Sequence, residues 1–391
     1  MTAFASLNWK IKRELSVLAR RAGYSFFLRP IEPIINWLYD RYSNSLVSVK
    51  STFSVPTGAR VAVYLLFQPR GLSNITLRTI ERLNEVGFRV LLVSNAKLND
   101  KDIDIAAANG AGILQRPNYG LDFGGYRDGL LWIKRQAILP SEILLLNDSV
   151  SCLVADFEKF SGMIRNSADS VTGAVAMEVG RAREKTLLSY FLLIKNPALK
   201  NEHFWNFWRD YQMANSRYAT VRRGERGFSR MLREAEIPSG GFVHPEALSA
   251  EALMAVSYRE LLLTLYYASF TEENLIRDRD RALNAAISGE SLHGRRTLID
   301  FIGKVVEQRP FVASFPYLLH HVFNLPVQKR GTTLLQKLAV CRFVDALDDG
   351  VAAIGGEYVL ADLHALCKQH KRIPLVAHFY ERLRQSLPLV F

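Results

Sequence analysis

Short runs of consecutive apolar residues alternate with amphipathic stretches through the central part of the chain. The runs at residues 61–67, 89–95 and 142–146 have the continuous hydrophobic character of strands buried on both faces of a parallel sheet. Residues 72–86 and 124–136, between them, carry apolar side chains at helical spacing. This alternation of strand and helix predicts βαβ units, and therefore an α/β domain with a mainly parallel sheet.

The pattern differs at both ends of the chain. Residues 1 to about 50 are predicted to be helical, because apolar side chains recur at steps of three and four residues opposite lysines and arginines. A second apolar cluster at residues 26–39 is flanked by Arg29 and Arg41, a composition that suits either packing on the main domain or contact with lipid headgroups. Helical patterns dominate again near the carboxyl end. We therefore expect a basic amphipathic segment at residues 1–55, an α/β domain at 56–250 and a mainly helical region at 251–391.

The net charge of the chain indicates which kinds of partner it is expected to bind. Fifty Lys and Arg stand against 38 Asp and Glu, which gives a formal charge of +12 and favours anionic partners such as nucleic acid, anionic lipid or phosphorylated substrates. The three cysteines form no CxxC pair, so a reducing compartment, by default the cytoplasm, is expected. No apolar run approaches the roughly 18 to 20 residues that cross a bilayer, and we expect any membrane contact to be peripheral.

Polar side chains directly follow the strand predicted at residues 142–146. In an open α/β sheet, ligands bind at the carboxyl ends of the strands, which makes Asn147, Asp148 and Ser149 candidates for a binding site. A Mg²⁺ ion bound to a diphosphate needs only one or two protein oxygens, and Asp148 would supply one of them. Alternatively, Asn147 and Asp148 form an Asx turn or cap the next helix.

A second candidate is the glycine-containing segment at residues 116–127, which leads into a predicted helix. Its glycines and small polar residues would let backbone N–H groups and the helix N-terminus approach a phosphate closely. Alternatively, Asp122 is only a helix N-cap and the glycine pair that follows is only a tight turn.

Motifs typical of several other enzyme classes are absent or incomplete in the sequence. The sequence has no GxxxxGK[ST], HExxH or GxSxG pattern, and the Asp-Phe-Gly at residues 122–124 lacks the other kinase elements. His364, Cys367 and His370 recur every third residue, a spacing that drifts around a helix and lacks a fourth ligand, so we interpret them as structural. We interpret His244 as an ordinary loop histidine.

A set of short motifs together resembles the rhamnan synthesis protein F glycosyltransferases of bacterial surface polysaccharide assembly. These motifs lie at residues 93–95, 118–124, 146–149, 189–191 and 204–208 and at Glu225, which opens a predicted helix. The similarity covers residues 61–237, with a weaker echo at residues 315–330. The resemblance implies a fold like that of GT-A nucleotide-sugar transferases, with the donor bound across the strand ends.

The resemblance also implies roles for individual residues. Asp148 would stand where such enzymes have an acidic metal ligand, and Glu225 would be the base that takes the proton of the acceptor hydroxyl. Alternatively, Glu225 is a surface carboxylate favoured at a helix start. The donor pocket would be lined by Asn118, Gly120 and Asp122, with Asn95, Asn147 and Ser149 as further candidate donor contacts.

The function implied is an inverting transferase that depends on Mg²⁺ or Mn²⁺. It would move rhamnose or a related deoxyhexose from a nucleotide-diphosphate donor to a lipid-linked glycan at the inner face of the cytoplasmic membrane, where an anionic surface would be a further partner. The family usually has His-Leu-Gln-Ser before its Tyr-Phe strand, whereas residues 186–189 here read Thr-Leu-Leu-Ser. A catalytically degenerate domain that binds or scaffolds in an assembly complex is therefore the alternative. Nucleic-acid binding is suggested by charge alone and is not expected.

Overall fold

The computed structural model describes residues 29–51, 53–152, 162–163, 166–179, 184–287, 291–308, 311–331, 333–354 and 357–371. The amphipathic helix predicted before residue 29 lies outside the described residues. Within them, helices and strands alternate as far as the middle of the chain, and helices dominate after residue 250, as the sequence predicts.

A twisted sheet forms the centre of the molecule. The strands are β1 (Ser48–Ser51), β2 (Arg60–Leu66), β3 (Phe88–Ser94), β4 (Gly112–Gln115), β5 (Glu142–Asn147), β6 (Val150–Cys152), β7 (Val171–Val179), β8 (Glu184–Leu187), β9 (Phe191–Lys195), β10 (Ser239–Val243) and β11 (Val327–Lys329). The order of the central sheet is β1-β4-β3-β2-β5-β9-β7-β10, with β8 added to β7, and β6 and β11 form a separate two-stranded sheet. Strands β4, β3, β2 and β5 are parallel neighbours, and β9 runs antiparallel between β5 and β7. The predicted α/β class with a mainly parallel central sheet is confirmed.

Helices cover both faces of this sheet. They are α1 (Glu32–Leu46), α2 (Asn74–Glu85), α3 (Asp100–Ala108), α4 (Leu121–Arg135), α5 (Asn196–Leu199), α6 (Glu202–Asp210), α7 (Arg217–Thr220), α8 (Arg226–Glu234), α9 (Ala250–Met254), α10 (Tyr258–Tyr266), α11 (Glu273–Ile287), α12 (Leu292–Gln308), α13 (Leu334–Asp348) and α14 (Glu357–Lys371). A π-helical turn, Val221–Glu225, joins α7 to α8.

Alternate residues of the central strands supply two hydrophobic cores, because successive strand side chains point to opposite faces. On one face, Tyr64 and Leu92 belong to the same core as Leu261, Leu298 and Phe315 of the carboxyl-terminal region. On the other face, the core contains Val63, Leu65, Tyr126, Trp208 and Phe228, from β2, α4, α6 and α8. The described residues after 250 therefore share a core with the sheet.

Two glycines let α4 lie directly on the sheet. A Cβ atom on Gly125 would come 2.2 Å from Leu65 Cδ1, and one on Gly129 would come 2.8 Å from Val63 Cγ1, both on β2. Real Cβ atoms do not approach so closely, so only glycine permits this helix-to-strand distance. The close packing fixes the first turn of α4 near the carboxyl ends of β2 and β5. The glycines that follow Asp122 therefore serve helix packing inside α4 rather than a tight turn.

The amino-terminal segment differs from its prediction. The helix expected to continue to about residue 50 ends at Leu46, and the next residues form β1, which pairs antiparallel with β4 at the edge of the sheet. A strand of four residues is too short for periodicity to reveal, because helical and extended patterns overlap over so few positions. The described part of the segment predicted at residues 1–55 is thus built into the α/β fold.

Candidate functional site

Asp148 lies just past the carboxyl end of β5, beside the end of β2. Its backbone N–H donates to the carbonyl oxygen of Leu65 at 3.0 Å. Its carboxylate oxygen Oδ2 accepts from the Phe67 N–H at 3.0 Å and from Gln68 Nε2 at 3.2 Å. The other oxygen, Oδ1, forms no hydrogen bond with a residue that the structure describes. Asp148 is therefore rigidly held with one carboxylate oxygen open.

Asn147 connects the end of β5 to the first turn of α4. Its Nδ2 group donates to Asp122 Oδ2 at 3.1 Å, and its Oδ1 atom accepts from the Ser149 N–H at 3.2 Å and from the Ser149 hydroxyl. The second contact is the Asx turn that the sequence offered as an alternative. Asn147 is buried, so its visible role is to orient Asp122 and the turn that carries Asp148.

Asp122 lies among several charged groups. Its side chain is exposed to solvent, and desolvation by the surrounding protein is the largest cause that raises its pKa. Lys329 acts to lower this pKa, whereas the carboxylates of Glu225 and Asp148 raise it further. The three predicted carboxylates thus lie within electrostatic reach of one another, and their shared negative charge favours a cation or a proton between them.

Glu225, the predicted base, ends the π-helical turn Val221–Glu225. Its Oε1 atom accepts from the Ser189 hydroxyl at 2.6 Å and from the Ser189 N–H at 3.4 Å. The Tyr126 hydroxyl of α4 donates to the Ser189 carbonyl oxygen at 3.0 Å. A π turn inserts an extra residue into a helix and often occurs at functional sites. Here it brings Glu225 to the strand motif that begins at Ser189.

Gly224 determines where this turn can lie. A Cβ atom at this position would approach the ring of Phe123 on α4 to 2.5 Å, so the turn reaches α4 only because residue 224 has no side chain. We expect Gly224→Ala to push the turn outward and to break the Glu225–Ser189 hydrogen bonds, with a loss of about 1 to 3 kcal/mol in the free energy of unfolding, because an added methyl group strains a packed contact.

The matched control for this change is Gly303→Ala. Gly303 lies in α12, where an added Cβ would meet no atom within 4 Å. Thermal unfolding of the two variants would be compared side by side. Equal stability of Gly224→Ala and Gly303→Ala would contradict the close approach of the turn to α4.

Lys329 lies near Asp122 and Glu225, although it is far from them in the sequence. Strand β11 pairs antiparallel with β6, and Lys329 lies opposite Val150 in that pairing. Its Nζ atom lies 4.8 Å from the ring centroid of Tyr190. Burial lowers the pKa of Lys329, while Glu225 and Asp122 act to raise it. The sequence analysis did not select this residue; the weak family echo at residues 315–330 was the available signal.

Arg330 fastens β11 to the end of β5. Its backbone N–H donates to the Ser149 carbonyl oxygen at 2.8 Å, and its Nε atom donates to the Ser151 hydroxyl at 3.0 Å. Burial raises the pKa of Tyr64 to about 12, with Arg330 opposing this shift and Asp148 adding to it. Arg330 and Asp148 therefore face a common region at the end of β2 and β5.

The Tyr190 hydroxyl is a buried polar atom at the edge of this cluster. It forms no hydrogen bond with a described residue, and burial together with the nearby Glu225 carboxylate raises its pKa. A buried hydroxyl without a partner costs free energy, and a ligand oxygen beside Lys329 would satisfy it.

The side chain of Asn95 points into the protein interior. It is buried, and its Oδ1 atom accepts from Arg116 Nη1 at 2.7 Å. Arg116 Nε donates to Asp128 Oδ2 at 2.6 Å, and the Tyr39 hydroxyl donates to the same oxygen at 2.6 Å. The visible role of Asn95 is thus to complete a buried ion-pair network between α1, α4 and the end of β4.

The remaining predicted residues shape the loop before α4. Asn118 is exposed on this loop. Gly120 has φ +80°, and a Cβ atom there would come 2.8 Å from Met213 Cβ. Its N–H donates to Asn215 Oδ1 at 2.8 Å. Leu121 also has a positive φ, of 51°, a costly conformation for a residue with a side chain. The loop is therefore held in one strained shape next to Asp122.

The buried network predicts a large effect on stability. Asp128→Asn removes the charge that neutralises Arg116, whose side chain is 0% exposed. We expect this change to lower the free energy of unfolding by about 3 to 5 kcal/mol, because a buried charge is left uncompensated. Urea unfolding would measure the loss.

Asp40→Asn is the matched control. Asp40 pairs with Arg127 but its side chain is 47% exposed, so we expect a loss below about 1 kcal/mol. Similar losses in both variants would contradict the assignment of the Arg116–Asp128 pair as a structural anchor.

The comparisons with known proteins bear on this part of the chain. Residues 90–259, which contain Asp122, Asp148, Ser189 and Glu225, match the family described as rhamnan synthesis protein F. The match covers less than half of the chain. The family predicted from the sequence motifs is thus confirmed, and Lys329 lies outside the matched region.

One curated relative is similar to part of the chain. A protein of Sinorhizobium fredii described as uncharacterized protein y4gN is 30% identical over 171 residues. The match covers 44% of this chain and 45% of that protein, so the chain spans less than half of the relative's length.

A cation at this site would be bound partly by protein carboxylates and partly by oxygens of a ligand and of water. Among the described residues, no three His, Cys, Asp or Glu side chains converge closely enough to hold an ion by themselves. A Mg²⁺ or Mn²⁺ ion that takes phosphate and water oxygens needs only one or two carboxylates. The open Oδ1 atom of Asp148, with Asp122 nearby, fits such a site.

None of the described helices is long and apolar enough to cross a bilayer.

Proposed function

We propose that the chain is a glycosyltransferase that moves a sugar from a nucleotide-diphosphate donor to a glycan in rhamnan synthesis. The observation that carries this proposal is the convergence of Asp122, Asp148, Glu225 and Lys329 at the carboxyl edge of a mainly parallel sheet. In this set Glu225 could take a proton, and Asp122, Asp148 and Lys329 could hold a diphosphate. The family of residues 90–259 supports a role in polysaccharide synthesis.

The donor would lie across the ends of β2 and β5. Asp148, and Asp122 beside it, would hold a divalent cation on the diphosphate, and that cation would offset the charge of the leaving group. Lys329, on β11, would donate a hydrogen bond to a phosphate oxygen of the donor. Asn147 keeps Asp122 in place, and Ser149 closes the turn that carries Asp148.

The acceptor hydroxyl would approach Glu225. Ser189 holds one oxygen of this carboxylate through its hydroxyl and its N–H, which leaves the other oxygen to receive a proton. In an inverting displacement, the acceptor oxygen bonds to the anomeric carbon as the bond from that carbon to the diphosphate breaks. The acceptor proton passes to Glu225, and the nucleoside diphosphate leaves.

The finer assignments rest on the family resemblance. They are rhamnose or a related deoxyhexose as the sugar, a lipid-linked glycan as the acceptor, and the inner face of the cytoplasmic membrane as the place of reaction. Inversion and dependence on Mg²⁺ or Mn²⁺ belong to the same proposal.

A thermal-shift screen combined with a turnover assay tests the proposal. UDP-, dTDP- and GDP-nucleotides and their sugars would be added with and without Mg²⁺ or Mn²⁺, because a ligand that binds the native state raises its stability. We expect one nucleotide class to stabilise the protein only with metal, and that donor to release nucleoside diphosphate when a glycan acceptor is present.

The catalytically degenerate alternative has its own signature. Thr186, which stands where the family usually has His, is buried and its hydroxyl donates to the Glu184 carbonyl oxygen. Stabilisation by a nucleotide sugar without turnover on any glycan would favour a binding or scaffold role. No stabilisation by any nucleotide would overturn donor binding altogether.

Lys329→Met tests the contribution of β11 to donor binding. We expect the dissociation constant of the nucleotide diphosphate to rise by roughly tenfold, because a charge-assisted hydrogen bond to phosphate is lost. Thermal shift or calorimetry with the nucleotide would measure it.

Lys200→Met, at an exposed position after α5, is the matched control for the loss of one positive charge. Equal affinities of the Lys329 and Lys200 variants would place Lys329 outside the donor site.

A further inference from the structure

Helix α1 presents its apolar side to the solvent. Its buried residues are Glu32, Asn36 and Tyr39. The exposed large hydrophobic residues in and beside it are Ile31, Ile34, Ile35, Trp37, Leu38, Tyr42 and Leu46. At 3.6 residues per turn these side chains spread over about half of the helix circumference, and the buried residues lie in the other half. Helices of globular proteins normally face the other way, with apolar residues toward the core.

Specific polar contacts hold α1 in this orientation. Asn36 Oδ1 accepts from the Met213 N–H at 2.9 Å, and Asn36 Nδ2 donates to the Met213 carbonyl oxygen at 3.0 Å. Glu32 pairs with Arg223 at 2.8 Å. Tyr39 donates to the buried Asp128 at 2.6 Å. The apolar side cannot turn inward without the loss of these bonds, so the outward face is a fixed feature of the fold.

The composition of this face suits a lipid headgroup region. Trp37 and Leu38 are 59% and 41% exposed, and the guanidinium of Arg41 lies 5.7 Å from the Trp37 ring centroid. Tryptophan and tyrosine are enriched where membrane meets water, because their rings are apolar and their polar atoms remain hydrated. Large exposed apolar patches rimmed by polar residues mark interaction sites.

The charges around α1 select an anionic surface. Exposed cations lie in and beside α1 at Arg41 and Arg29, and the exposed Arg135 donates to Asn44 of α1 at 3.4 Å. Within residues 29–51 the exposed acidic residue is Asp40, and it is paired with Arg127. The sequence before the helix continues this bias, with one acidic residue, Glu14, against Lys10, Lys12, Arg13, Arg20, Arg21 and Arg29.

We propose that the outward face of α1 docks on an anionic lipid bilayer, with its apolar side chains in the headgroup region and its arginines on lipid phosphates. Such helices lie in the plane of the interface, and their binding adds apolar burial to electrostatic attraction. The charged surroundings favour this occupant over a second copy of the same basic chain.

The position of α1 links the docking face to the candidate site. Glu32 pairs with Arg223 in the π-helical turn that ends at Glu225. Asn36 holds Met213, which packs on Gly120 in the loop before Asp122. A docked α1 would thus bring both loops near the membrane surface. If the proposed function holds, this is where a lipid-linked acceptor would enter.

Vesicle co-sedimentation of the full chain tests the docking proposal without any sugar donor. Binding to phosphatidylcholine vesicles would be compared with binding to equimolar phosphatidylcholine and phosphatidylglycerol vesicles at low and high salt. We expect binding to the anionic vesicles that weakens with salt. The triple variant Ile34→Gln, Trp37→Gln, Leu38→Gln should lower the partition coefficient at least ~10-fold, since it removes the apolar anchor.

A control variant replaces equally exposed hydrophobic residues elsewhere, namely Leu139→Gln, Tyr266→Gln and Ile287→Gln, which are 69%, 61% and 69% exposed in the native chain. It should bind as the unchanged protein does. Absence of binding to anionic vesicles, or undiminished binding of the α1 variant, overturns the proposal. Light scattering that shows a dimer dissociated by the α1 variant, without vesicle binding, would assign the face to a second copy. Because no donor is used, a failure of sugar transfer would leave this result unaffected.

Discussion

Asp148→Asn is expected to lower kcat/KM for sugar transfer by about a thousandfold while the protein remains folded. In the proposed function the change removes the charge that would face the donor diphosphate, and charge stabilisation of a leaving group supplies several kcal/mol in such reactions. An amide oxygen can still accept from the Phe67 N–H, so the end of β2 keeps its contact. Initial rates of nucleoside diphosphate release would be measured over a range of Mg²⁺ and Mn²⁺ concentrations.

Two further measurements make this prediction specific to the site. Asp104→Asn changes an exposed carboxylate on α3, and we expect it to transfer sugar at the normal rate. The metal-dependent thermal shift given by the nucleotide sugar should disappear in Asp148→Asn and persist in Asp104→Asn. Near-normal transfer by Asp148→Asn would remove Asp148 from the donor site and, with it, the main support for metal dependence.

The location of Asp148 at the edge of the sheet could be predicted from the sequence for a simple physical reason. Strands β2, β3 and β5 are buried on both faces, so their apolar runs are continuous and easy to recognise. Polar residues at the end of such a run must lie at the edge of the sheet, because the apolar residues before them fill the interior. The same argument predicted Asn147 and Ser149, whose contacts with Asp122 and with each other link this edge to α4.

Other parts of the site depend on contacts that no local pattern encodes. Strand β11 has three residues, and it takes its place by pairing with β6, from a distant part of the chain. The position of Lys329 therefore follows from tertiary packing. Asn95 shows the opposite case. A polar residue after a strand looked like a donor contact, but Arg116 turns inward and binds it.

Helix α1 shows why amphipathic patterns leave their orientation open. A periodic pattern gives the angle between polar and apolar faces, but the choice of which face is buried depends on the surface that receives it. Here that surface offers Asp128, Arg223 and the backbone of Met213, so polar side chains point inward. The sequence left core packing and lipid contact as alternatives, and the structure shows an apolar face that the described residues leave uncovered.

Glu225→Gln is expected to lower kcat by about 10²- to 10⁴-fold, the usual contribution of general base catalysis. The amide oxygen of the new side chain can still accept from the Ser189 hydroxyl and N–H, so the turn should keep its position. Donor binding should remain unchanged, because the base acts on the acceptor. The nucleotide-sugar thermal shift should therefore persist in Glu225→Gln, whereas it should be lost in Asp148→Asn.

Glu234→Gln, at an exposed position at the end of α8, is the matched control and should transfer sugar normally. The difference in transfer rate between Glu225→Gln and Glu234→Gln also distinguishes an active transferase from a catalytically degenerate binding domain. A degenerate domain that only binds the nucleotide sugar has no transfer rate for Glu225→Gln to lower. A normal kcat in Glu225→Gln would mean that another group takes the acceptor proton. In that case the hydrogen bonds between Ser189 and Glu225 would serve only to join β9 to the π-helical turn.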